Sequence, residues 1–147
     1  MSPDSVFLAC NYGVLPFWLL LAVVPGWPWT DRLVHRVWIP GTLACVYLWA
    51  LLANPGSPEG GGFGSLAGVM ALFTSPHAVL AGWIHYLAFD LFIGAWQVRD
   101  ARRRGIPHAW VLPCLFFTLM LGPAGLLLYL TVRFRRTRAL SLEETGV

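Results

Sequence analysis

The sequence predicts an all-α polytopic membrane protein, a four-helix transmembrane bundle with a short re-entrant or interfacial helix between its second and third spans. Three observations carry this reading. Hydrophobic residues make up 57% of the 147 and charged residues 12%, with a mean hydropathy of +0.64; a soluble domain is about 45–50% apolar and about 25% charged. Four runs, 6–24, 37–53, 78–98 and 109–132, are apolar over lengths near the ~20 residues a helix needs to cross a bilayer. Trp27, Trp29, Trp38, Trp96 and Trp110 stand at or near the ends of those runs, where a flat ring with one N–H is best placed. The whole of 1–147 reads as a single integral membrane domain with a polar tail over 133–147. A disordered chain, a coiled coil and a nucleic-acid-binding domain are excluded.

The first run, 6–24, carries no charge. It lacks the positive leader and small-residue cleavage site of a signal peptide, so it is read as a span. Pro16 within it, and Pro113 and Pro123 in the fourth run, each remove a backbone donor and predict a kink. Pro40 falls in the first turn of the second helix, where proline is tolerated. Residues 54–62 form a turn-rich connection. Residues 63–73 are apolar but too short to cross, and Gly64 and Gly68 make a small-xxx-small pair suited to close helix packing. In the fourth run, Gly122-Pro123-Ala124-Gly125 should break the helix or admit a close neighbour. Cys10, Cys45 and Cys114 lie in apolar runs without metal-ligand spacing and read as small buried hydrophobes. All ten basic residues are arginines. Four spans put both termini on one side. Six arginines in 26–36 and 99–108, against four in 133–138, lean the two loops toward the cytoplasm and the termini outside.

Two polar residues interrupt the third run. Asp90 stands near its middle, where a charge costs about 2.5–3.5 kcal/mol to insert, so it is read as functional or paired. His85 lies five residues earlier, roughly 140° around the helix, so the two do not meet within it. The neighbour of Asp90 at i−4 is Tyr86. The first and third helices run the same way, and depth arithmetic brings Asn11, Tyr47, His85, Tyr86, Asp90 and Thr118 toward one level. They form either one polar lining or six separately satisfied groups. At the helix end Asp100 can pair with Arg103 or Arg104, and Arg99 can cap the helix or meet a phosphate. No nucleotide, hydrolase or metalloprotease motif is present, and neither metal nor cofactor is expected.

The segments Phe63-Gly64-Ser65-Leu66-Ala67-Gly68-Val69, Ala81-Gly82-Trp83-Ile84-His85-Tyr86-Leu87-Ala88-Phe89-Asp90-Leu91-Phe92-Ile93-Gly94 and Arg99-Asp100-Ala101 resemble the abscisic-acid-deficient-4-like family. That family includes plant neoxanthin synthase and bacterial proteins of unknown function. Leu8-Ala9-Cys10-Asn11 with Trp18, Arg104-Gly105-Ile106-Pro107-His108 and Leu121-Gly122-Pro123-Ala124-Gly125-Leu126 extend the resemblance over about residues 5–135. It implies four membrane helices and, from the plant member, isomerisation of an epoxy-carotenoid to an allene. An acid protonates the epoxide oxygen as the ring opens, and a base removes the adjacent polyene proton. The net equation requires no redox cofactor. Mapped onto this chain, Asp90 would supply the acid and His85 the base. Asn11, Trp18, Tyr47, Trp83, Tyr86, Phe89 and Thr118 would hold the substrate, with Arg99 and Asp100 at the headgroup interface. The alternative is a non-enzymatic protein that binds a pigment or lipid or assembles a membrane complex. Expected partners are membrane lipid, a carotenoid or related isoprenoid, and further copies or a membrane complex, but not nucleic acid. Arginine-only usage and the lack of a plastid leader point to a bacterial inner (cytoplasmic) membrane.

Overall fold

The computed structural model describes residues 2–53, 56 and 58–138; part of the 54–62 connection and the tail beyond Arg138 lie outside the described residues. The described chain is all-helical. α1 (Pro3–Gly13) starts on the cap of Ser2, whose hydroxyl accepts from Ser5 N at 3.3 Å. It gives way at Val14 to α2 (Leu15–Val23). Pro16 explains the interruption, because it has no N–H to offer the carbonyl one turn back. A short turn, α3 (Pro28–Thr30), and a π-helical turn, Asp31–His35, lead into α4 (Trp38–Leu52), with Pro40 buried in its first turn. α5 (Leu66–Leu72) is followed by the central helix α6 (Pro76–Arg103), then α7 (His108–Leu121) and α8 (Pro123–Thr137).

Two helices are long and apolar enough to cross a membrane: Pro3–Val23, 21 residues, and α6, 28 residues. They coincide with the first and third runs. In their most apolar windows only 22% and 39% of residues are buried within the protein, so most of that apolar surface faces outward. α4 overlaps the second run but has 15 residues, about 22 Å at 1.5 Å per residue.

α6 is wrapped on several sides. Its buried residues Leu80, Ile84, Leu87, Leu91 and Val98 recur at helical spacing. Small residues, Ala81, Ala88, Gly94, Ala95 and Ala101, are buried among them, which lets neighbouring helices approach closely. The start of α1 lies beside the start of α6, with Phe7 near Val79 and Leu80. The end of α2 lies beside the end of α6, where Arg102 Nη1 donates to Pro25 O at 3.3 Å. The two therefore run in the same direction, as the sequence predicts. α4 runs against them.

The fourth run departs from the expectation of a single crossing. Gly122 N donates to Thr118 O at 2.9 Å and closes α7; Leu126 N donates to Gly122 O at 3.2 Å and opens α8. Between them Gly122 has φ +47 and ψ −96, a conformation open to glycine, and the chain reverses. The Arg136 guanidinium, near the end of α8, lies 4.4 Å from the Trp110 ring centroid, near the start of α7. In one continuous helix those residues would be about 39 Å apart. Residues 109–132 are thus a helical hairpin. Gly125 packs directly against the backbone of Thr118, so both outcomes anticipated for the Gly-Pro-Ala-Gly segment occur together. Pro113 sits inside α7 without ending it. The hairpin also departs from four crossing helices in where α8 ends: the end of α8 meets the end of α6, opposite the start of α1.

The short helix differs in detail as well. α5 has seven residues, with Leu66 and Met70 exposed. Ser65 Oγ caps it, accepting from Gly68 N at 3.0 Å. Gly68 packs on the carbonyl of Gly62 in its own loop, while Gly64 has open space around it, so the pair does not form a helix-packing seam. Of the cysteines, all free, Cys114 is buried, Cys10 half-buried and Cys45 exposed; α4 turns Cys45 outward.

Candidate functional site

The polar residues at the middle of α6 divide between its faces. On the side of α1 and the hairpin, Trp83 Nε1 donates to Asn11 Oδ1 at 3.1 Å. The Trp83 ring lies between Phe7 and Tyr86, at centroid distances of 5.6 and 5.4 Å. Tyr86 donates its hydroxyl to Leu119 O at 2.8 Å, satisfying a carbonyl in the last turn of α7 that the broken helix leaves without a partner. One turn further, Asp90 is 9% exposed and sets its carboxylate against Gly122. A Cβ at Gly122 would lie 2.8 Å from Asp90 Oδ1, so the carboxylate would have to move for any other residue there, and the positive φ favours glycine. Asp90 Oδ2 makes no hydrogen bond to the described residues.

On the side of α4, the His85 ring lies 4.5 Å from Phe89 and 5.8 Å from Tyr47 by centroids. His85 and Tyr47 line a cavity of about 520 Å³, walled mainly by apolar residues such as Leu51, Phe63 and Phe73. The angular offset between His85 and Asp90 along the helix thus becomes a division between the cavity and the hairpin turn. Asn11, Trp83, Tyr86 and Asp90 gather on one face and Tyr47, His85 and Phe89 on another. The two groups do not make a single lining.

Trp18 and Thr118 stand elsewhere. Trp18 is buried, its ring over Gly94 so closely that a Cβ there would lie 2.7 Å from it. Thr118 is fully buried, accepts from Gln97 Nε2 at 2.9 Å and donates to Cys114 O at 2.8 Å.

The end of α6 holds a polar cluster that the sequence reading placed only in part. Arg104 Nε lies 2.9 Å and Arg103 Nη2 3.8 Å from Asp100 Oδ1, the i+4 and i+3 pairs expected. The pairs differ from surface pairs because Asp100 is buried. Its other oxygen accepts from the Tyr129 hydroxyl at 2.7 Å and lies 3.0 Å from Arg133 Nε. Tyr129 and Arg133 are fully buried. Arg133 therefore belongs to the core rather than to a solvated tail. The signal was the i, i+4 spacing of Tyr129 and Arg133, which places both on one helix face.

Arg99 Nη1 donates to His35 O at 3.0 Å. His35 Nε2 and Arg102 both donate to Pro25 O, and His108 Nε2 donates to Ala22 O at 2.9 Å. These groups satisfy carbonyls at and beyond the end of α2, where basic side chains also suit the helix dipole. Burial, the largest cause, holds the His35 imidazole below its ordinary value; the nearby Arg99 and Arg102 charges act in the same direction, against the opposing hydrogen bond to Pro25. Among the described residues, no group of three His, Cys, Asp or Glu side chains is placed to hold a metal ion.

Residues 5–129 match the family described as ABA DEFICIENT 4-like. No curated protein and no solved structure matches the chain. The matched segment contains both polar faces of α6 and the hairpin turn, and the chain belongs to the ABA DEFICIENT 4-like family.

Proposed function

We propose that the protein is membrane-embedded and acts on a carotenoid or related isoprenoid, as a neoxanthin synthase-like isomerase. The observation that carries this reading is the apolar cavity beside the start of α6, with the imidazoles of His77 and His85 and the Tyr47 side chain at its wall. A cavity of about 520 Å³ is within the 300–1,000 Å³ common for small-molecule sites. It suits one oxygenated end group of a long apolar chain whose remainder stays in the lipid.

Within this reading, His85 takes the polyene proton next to the epoxide and the Tyr47 hydroxyl protonates the epoxide oxygen. The carbon–oxygen bond opens, the allene forms, the proton gained by His85 returns to the Tyr47 phenolate on the same cavity wall, and the composition of the substrate is unchanged. Phe89, against His85, orients the imidazole. Asp90 faces the hairpin turn rather than the cavity, so Tyr47 takes the acid step here; Asp90 as the acid is the competing assignment, tested separately. Asn11, Trp83 and Tyr86 hold the outer wall of α6.

The test is expression in a bacterial host that accumulates epoxy-carotenoids, followed by chromatography of the pigments. Wild type should yield an allenic product that His85→Gln and Tyr47→Phe lose. Full turnover by Asp90→Asn leaves the acid step with Tyr47; its loss returns that step to Asp90. Pigment retained on purified protein without a new product would favour the non-enzymatic binding reading. With neither product nor retained pigment, the carotenoid reading fails.

A further inference from the structure

Because α7 and α8 form a hairpin, all ten arginines gather at one end of the bundle. Arg32 and Arg36 lie in the connection between α2 and α4; Arg99, Arg102, Arg103 and Arg104 lie at the end of α6; Arg133, Arg135, Arg136 and Arg138 lie at the end of α8. Direct contacts tie the three segments together. Arg99 and Arg102 reach the carbonyls of His35 and Pro25, and Asp100 meets Tyr129 and Arg133. Among the described residues, the acids at this end are Asp31 and Asp100, and the acids at the other end are Asp4 and Glu59. Trp27, Trp29, Trp38 and Trp110 surround the arginine end and are each 48% exposed or more. Arg32 lies over Trp29 at 5.2 Å and Arg136 over Trp110 at 4.4 Å. An amphipathic ring carrying a guanidinium fits the boundary between acyl chains and phosphates.

We propose that this end is the cytoplasmic face of the protein, seated among anionic phospholipid headgroups, and that α7–α8 enters the membrane from that face and turns back at Gly122. The start of α1 and the cavity then lie toward the opposite face. This rests on the membrane reading but not on the isomerase reading. The balance of short flanking segments sets orientation through Lys and Arg. Here it is ten arginines against none, where a crossing fourth helix would have divided them six and four. The cytoplasmic leaflet's negative surface potential attracts such a cluster.

Two reporters on the full chain test the orientation in a bacterial host. A fluorescent protein fused after Val147 should fluoresce, and alkaline phosphatase at the same position should stay inactive. A cysteine replacing Gly62, in a chain with Cys10, Cys45 and Cys114 changed to serine, should react with a membrane-impermeant maleimide in intact cells. Active phosphatase, or a Gly62→Cys position protected until lysis, would overturn the orientation. Recovery in the soluble fraction would overturn the membrane reading itself. For the headgroups, purified protein in phosphatidylcholine vesicles should gain melting temperature when phosphatidylglycerol is added. Arg102→Gln/Arg135→Gln should reduce that gain, and no gain in wild type would refute headgroup docking.

Discussion

Replacing Asp100 with alanine should destabilise the protein more than any single change at the central polar residues of α6. The carboxylate serves Arg104 and Arg103 through one oxygen, and Tyr129 and Arg133 through the other, at 2.7 and 3.0 Å. Arg133 and Tyr129 are fully buried, so neither can turn to water when the carboxylate is gone. Breaking a buried ion pair from one side costs about 3–5 kcal/mol. The Tyr129 hydrogen bond, made to a charged group, is worth about 1.5–3 kcal/mol. The two losses share one oxygen and do not add, so the total expected is about 3–5 kcal/mol. For a chain of this size that corresponds to a melting temperature lower by about 6–20 °C, measured on detergent-solubilised protein. Tyr129→Phe should lose roughly half as much. Asp100→Leu/Arg133→Met removes both members of the ion pair and should recover part of the loss, the remainder staying with the Tyr129 hydroxyl, whose acceptor is gone. A melting temperature for Asp100→Ala within two degrees of wild type, or a double variant no better than the single, would refute the argument.

The remaining predictions concern the hairpin and one histidine. Gly125→Ala brings a Cβ into the backbone of Thr118, and overpacking of that kind costs about 1–3 kcal/mol; the melting temperature should fall, and an unchanged one would mean that α7 and α8 do not close on each other there. His35 is held below its ordinary value of 6.5 chiefly by burial, so the unfolded chain binds its proton first. Its contribution to stability is therefore complete above pH 6.5 and is lost as pH falls toward the lowered folded value. Melting temperatures recorded between pH 7.5 and 5 should fall on the acid side. The fall should be shallower in His35→Gln, which keeps a donor for Pro25 O; identical profiles would show that His35 does not titrate with folding.

The helical elements were legible because their signals are local. Long apolar runs mark Pro3–Val23 and α6, Pro16 marks the break at Val14, and Pro40 falls in a first turn. The parallel course of the first and third helices brings Asn11 to α6, where it meets Trp83 and not the His85 expected at its level, and the i+3 and i+4 partners of Asp100 follow from helix geometry. What was not legible is the direction of the chain after Gly122. A glycine followed by proline ends a helix whether the next one continues onward or doubles back, and hydropathy is the same either way. The choice is made by distant contacts: Gly125 on Thr118, Arg136 on Trp110, and Arg133 on Asp100. The expected polar lining was argued from depth along the helix axes, which does not say where a side chain faces: Thr118 turns to Gln97 and Cys114, and His85 and Asp90 fall on different sides of α6.

Asp90 and the hairpin account for one another. Gly122 lies at the turn of two helices that are each too short to cross, and the central helix meets that turn near its own midpoint with a carboxylate. In the first turn of α8, Gly125 N and Leu126 N both donate to Gly122 O and Pro123 has no N–H; a negative or strongly polar group near a helix start is favourable through the helix dipole. A charged residue at that depth is costly on a lipid-facing helix but not where it meets the polar end of a broken one. The same turn brings Arg133 back to Asp100 and sends the last arginines to the end that already carries the others. A mid-helix acid, a Gly-Pro break and a one-sided distribution of arginine are separate anomalies for four crossing helices; for a central helix clasped by a hairpin they are consequences of one turn.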